Sequence, residues 1–129
     1  MKALVATLLA LMAMPGVAQN QTEVPDSGLG YKSPQAALEA LESKPGVTRR
    51  EENNWVVLSD HVENSIWSIA QPGNPAYPAA VRRHFVQRDN SVYVEMGVMC
   101  GASRAACDEM VRLFQEGNEQ TQTQFGQQP

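Results

Sequence analysis

Residues Val92 to Phe114 read VYVEMGVMCGASRAACDEMVRLF, and two periodicities meet inside this one stretch. From Val92 to Cys100 the side chains alternate. Val92, Val94, Met96, Val98 and Cys100 point one way, and Tyr93, Glu95, Gly97 and Met99 the other. That is a β-strand with the first set as its core face. Beyond Gly101, Cys107, Met110, Val111 and Phe114 fall at i, i+3, i+4 and i+7, the stripe of an amphipathic helix. Ser103 suits its N-cap and Gly117 its stop. Strand and helix thus turn Cys100 and Cys107 toward one core.

Working back toward the N-terminus, Arg88-Asp89-Asn90-Ser91 reads as a hairpin turn, preceded by a strand over Val81 to Gln87. The proline-rich loop Gln71 to Pro78 (QPGNPAYP) separates that strand from Ser65 to Ala70 (SIWSIA). A polar turn over Asp60 to Asn64 then leads back to a first strand, Trp55 to Leu58. Arg49-Arg50-Glu51-Glu52 balances its own charge and reads as a solvated turn. Ser33-Pro34 starts a helix, a hydroxyl cap followed by proline at the first helical position, and Lys44-Pro45-Gly46 stops it. Helix one therefore covers Ser33 to Ser43, with Leu38 and Leu41 as its anchors.

The order is helix, four strands, helix. Short connections between the strands make the sheet antiparallel, covered on one face, and the fold class α+β.

At the N-terminus, Lys2 precedes an uncharged apolar run, Ala3 to Met14, then Pro15 and the small-x-small site Gly16-Val17-Ala18. This is the pattern of a secretory signal peptide cleaved after Ala18. Twelve apolar residues fall short of the roughly 20 that span a bilayer, and nothing later approaches that length. The expected product is periplasmic or secreted, with no integral membrane segment after cleavage. Composition assigns residues 19–30 to a disordered linker, 31–118 to a single domain and 119–129, with its run QTQTQFGQQP, to a disordered Gln-rich tail. Removing 18 of the 129 residues leaves 111, one domain with one modest core. It also removes one Lys and no acid, so the formal net charge goes from −4 to −5. That balance argues against nucleic acid as a partner.

Two cysteines in an exported chain, both on core faces, predict a Cys100–Cys107 disulfide. A redox pair ordinarily has C-x-x-C spacing, whereas six residues intervene here. A metal site would need two more ligands, and His61 and His84 stand at no motif spacing from the cysteines. No metal and no cofactor are expected.

The chain contains no nucleophile elbow, zinc-protease helix, phosphate-binding glycine loop or haem motif. The best candidate for a binding surface is the Pro72–Pro78 loop, whose prolines restrict the backbone and hold Asn74 and Tyr77 in place. Trp67 lies upstream and Arg82, Arg83 and His84 downstream; alternation lets at most two of those last three share a face. Against this stands a structural reading, in which the loop only crosses the sheet, the arginines are solvated, and Trp55 and Trp67 pack in the core. His61 reads as an exposed turn residue. Asn20-Gln21-Thr22 is a formal glycosylation triplet without further support. An enzyme would have to use Glu95, Tyr93, Arg83 and His84, and one carboxylate without a partner is no acid/base pair.

The string WSIAQPGNPAYPAAVRRHF (Trp67 to Phe85), with MCGASRAACDEM (Met99 to Met110), resembles a group of small exported bacterial proteins of unknown function. These share a W-S-x-x-x-P segment, then P-A-Y-P-A-x-V-R-R, then a cysteine pair at the final helix. The likeness covers residues 31–118 and implies an exported α+β domain with nothing catalytic. The expected function is a small periplasmic binding or interaction module for an envelope partner. The alternatives are an enzyme built on the four residues just named and a packing component of an envelope assembly.

Overall fold

The computed structural model describes residues 28–126; the expected signal segment and most of the linker lie outside the described residues. Helix α1 (Pro34–Glu42) starts and ends where its caps dictate. The Ser33 hydroxyl accepts from the Ala36 amide at 3.0 Å, Pro34 occupies the first turn, and Ser43 closes the helix. Its apolar stripe, Ala37, Leu38 and Leu41, is buried.

Five strands follow in a meander, not four: β1 (Val47–Glu52), β2 (Trp55–Asp60), β3 (Ser65–Ala70), β4 (Ala79–Arg88) and β5 (Ser91–Cys100), each antiparallel to the next. The added strand is β1, which contains the residues read as a solvated turn. Being an edge strand, it exposes every side chain from Thr48 to Glu52, so it shows no apolar alternation to read. Its ion pairs run along the strand between same-face neighbours, Arg49 to Glu51 at 2.9 Å and Arg50 to Glu52 at 3.5 Å. Charge of this kind blunts an edge against strand addition. The β1–β2 connection is the two-residue turn Asn53-Asn54, both at positive φ (50° and 61°), which sets Glu52 opposite Trp55.

Helix α2 (Arg104–Gly126) starts where Ser103 caps it, the hydroxyl accepting from the Ala106 amide at 3.2 Å. It does not stop at Gly117. The Glu and Gln residues beyond are good helix formers, and Thr121 and Thr123 turn their hydroxyls back to carbonyls four residues earlier, both at 2.9 Å. Residues 119–126, which composition placed in the tail, are therefore helical.

Both faces of the sheet are covered, not one. On the first face, α1 packs over Val56, Leu58, Trp67, Ile69, Ala80 and Met99. On the second, Met110, Val111 and Phe114 of α2 pack over Ala70, Val81, Met96, Val98 and Cys100. The alternation of β5 thus serves two cores, and Met99, on the expected outward side, is 1% exposed. Also on the first face, Leu29 sits directly over Gly97, so that a Cβ at that position would have to displace the leucine side chain.

The Cys100–Cys107 disulfide is present, with Cα atoms 5.9 Å apart, and joins the end of β5 to the first turn of α2. The loop before β4 is held at its far end by the Gly101 amide donating to the Pro78 carbonyl at 2.8 Å, after a cis Tyr77–Pro78 bond. Among the described residues no helix is long and apolar enough to cross a membrane.

Candidate functional site: a cleft beside the last helix

Helix α2 follows the β4–β5 side of the second face and leaves the β1–β2 side open. The gap is a cleft of about 720 Å3, within the ~300–1,000 Å3 range of small-molecule sites. One wall is α2, presenting Ala106, Met110, Leu113 and Phe114; the floor holds Trp55 and Arg83. The opposite lip is the Asn53-Asn54 turn together with Asn74 and Pro75 of the proline loop.

That lip is tied together. The Gln71 amide donates to the Asn54 carbonyl at 2.9 Å, and the Asn74 side-chain amide to the same oxygen at 3.2 Å. The Asn74 Oδ1 accepts from the Ala76 amide at 2.9 Å. Asn74 is therefore the clamp that fixes the loop to the turn. Trp55 meets Phe114 edge to face at 5.4 Å between ring centroids.

Arg83 is the unusual group. Its guanidinium carbon lies 5.3 Å from the centre of the Phe114 ring, and its Nε is buried without a hydrogen-bond partner. It forms no ion pair among the described residues. Burial lowers the Arg83 pKa from the ordinary arginine value, and the positive charge of Arg50 adds to the effect. The two carboxylates that line the cleft are engaged elsewhere, Glu52 with Arg50 at 3.5 Å and Glu109 with Arg112 at 2.6 Å. The cleft therefore offers an apolar wall and one cation without a counter-charge.

The residues singled out from the sequence do not converge. Asn74 and Arg83 reach this cleft. Trp67, Arg82 and His84 lie on the other face: Trp67 is 2% exposed in the first core, beneath Arg82 at 5.9 Å and edge-on to Tyr31. Tyr77 is 46% exposed on the loop and lines no wall of the cleft. The four residues an enzyme would need are divided in the same way. His84 stands 3.5 Å from Glu95, which also meets Arg88 at 3.1 Å, and Tyr93 shares their face, but Arg83 points from the opposite one. His61 is exposed beside Thr48. Trp55, Leu113 and the Asn53-Asn54 lip were not anticipated as site residues. The Asn-Asn pair was the available signal, because two residues that tolerate positive φ just before an apolar run mark a hairpin.

The chain has no significant match among protein-family models, curated proteins or solved structures.

Proposed function

We propose that this protein is a small exported binding module, not an enzyme, that holds its partner in the cleft between α2 and the sheet. The observation that carries the reading is Arg83, a cation set against an aromatic ring in a cleft with an apolar wall, and paired with no carboxylate among the described residues. A half-buried charge without a partner, with its Nε sealed from water, costs stability, and such a cost is retained at binding sites more readily than in a core. Export is supported by the signal pattern over residues 1–18 and by a disulfide that suits an oxidising compartment. The same features support grouping the chain with the exported bacterial proteins that it resembles.

Site-specific photo-crosslinking in the living host tests this. Leu113 is 53% exposed on the cleft wall, and Val62, 71% exposed, lies on a turn that does not line it. A photoreactive phenylalanine at position 113 is expected to give a discrete envelope adduct, and the same group at position 62 none. Equal labelling from both positions, or none from 113, overturns the proposal.

A further inference from the structure

The lip and the wall of the cleft differ in chemistry, and the difference restricts what can lie between them. Phe114, Leu113, Met110 and Ala106 offer only apolar contact. Across from them, the Asn53 and Asn54 side-chain amides make no hydrogen bond among the described residues, although their turn is held by the Gln71 amide. Between the two stands Arg83. A ligand satisfying all three needs an anionic end, apolar side groups, and donors and acceptors along its length.

Resting on the binding reading above, we infer that the cleft takes the carboxyl-terminal end of an apolar peptide. Its terminal carboxylate pairs with Arg83, its backbone lies along the asparagine lip, and its side chains lie against α2. A carboxylate is the planar anion that matches a guanidinium fork, and Arg gains from this geometry where Lys would not. Stacking on Phe114 already restrains the Arg83 fork, so less freedom is lost when the anion arrives. A modest rotation of the fork would also give the sealed Nε the acceptor it lacks. A fatty acid would supply the charge and the apolar body but would leave the asparagine amides without partners.

The test titrates disulfide-intact, 15N-labelled protein with three probes: acetyl-Leu-Ala-Leu as the free acid, the same peptide as its C-terminal amide, and laurate. The free acid is expected to shift the α2 amides between 106 and 117 and the Arg83 Nε–H signal, and to bind at least tenfold more tightly than the amide. Arg83→Gln should bring that ratio to about one. Equal binding of acid and amide to the wild type, or a ratio unchanged in Arg83→Gln, overturns the inference. Laurate binding more tightly than the peptide acid overturns the peptide assignment. Failure of all three probes to shift cleft signals overturns it as well. If the crosslink at position 113 persists in any of these cases, the binding reading stands and only the ligand class falls.

Discussion

Breaking the Cys100–Cys107 bond should cost this domain a large share of its stability, and the loss should start at α2. The cysteines are separated by 7 positions, so the bond closes a loop of eight residues. By the chain-entropy relation, removing that closure returns about 2.5 kcal/mol of freedom to the unfolded chain. A domain of this size loses about 4–8 °C of melting temperature per kcal/mol, so reduction should lower Tm by about 10–20 °C. The effect is sited by the packing of α2, whose buried anchors are Met110, with Val111 and Phe114 partly buried beside it. The assay is thermal unfolding followed by circular dichroism, with and without reductant, beside the double variant Cys100→Ala, Cys107→Ala. Amide exchange read in parallel should show α2 opening before β2 and β3. Melting temperatures that agree within about 2 °C across the three samples would refute the reasoning. So would uniform exchange through helix and sheet.

Asp60 is 2% exposed and accepts from Lys44 Nζ at 2.6 Å and from the Val62 and Glu63 amides at 3.0 and 3.1 Å. Burial pushes its pKa up, but the Lys44 bond and the two amides outweigh that and hold it below the ordinary 3.8. A depressed carboxyl stabilises above the unfolded pKa and loses that contribution as pH falls through the folded value. Asp60→Asn should therefore cost about 1–2 kcal/mol at pH 7, a gap that narrows below about pH 4; a gap that widens on acidification would be contrary. Arg83→Met should raise thermal stability by up to about 1 kcal/mol, because an apolar side chain replaces an unpaired charge, while removing discrimination between peptide acid and amide. A lower melting point would show that Arg83 is structural. Leu41, 1% exposed, and Leu113, 53% exposed, separate core from site. Leu41→Ala should cost about 2–5 kcal/mol in denaturant unfolding, whereas Leu113→Ala should stay within about 0.5 kcal/mol and weaken cleft binding. The reverse ranking would overturn the assignment of wall and core.

Elements with a local chemical signature were legible in the sequence. Ser33-Pro34 located α1, Ser103 located the start of α2, and the alternation over Ser65–Ala70 and toward Cys100 located β3 and β5. The disulfide followed from two periodicities meeting on one side of the chain. β1 was not legible because an exposed edge strand carries no buried face, and its Arg-Arg-Glu-Glu run has the composition of a turn. The site was legible only in fragments. Asn74 and Arg83 were identified by loop rigidity and charge, but alternation along β4 cannot say which face holds the cleft. That depends on which side of the sheet α2 leaves uncovered, a tertiary fact that no local spacing encodes. Trp67 shows the converse: read beside a rigid loop it is a candidate ligand platform, and the register with Leu58 and Arg82 places it in the core.

The clasp and the cleft belong to one arrangement. A helix packed on a sheet ordinarily settles where it buries most apolar surface, yet α2 leaves Trp55 and Arg83 at the floor of the cleft beside it. The disulfide fixes the first turn of α2 at the end of β5, an edge strand, and Asn118 Nδ2 meets Met96 Sδ at 3.4 Å farther along the same strand. Held at both places over β5, the helix cannot slide across to close the gap above Trp55 and Arg83. Part of what the covalent bond stabilises is therefore not the core but an opening beside it. A charge left unpaired in that opening makes the free protein less stable than its packing alone would allow. An anion that enters removes the same penalty, so the term that weakens the empty fold becomes binding free energy for the occupied one.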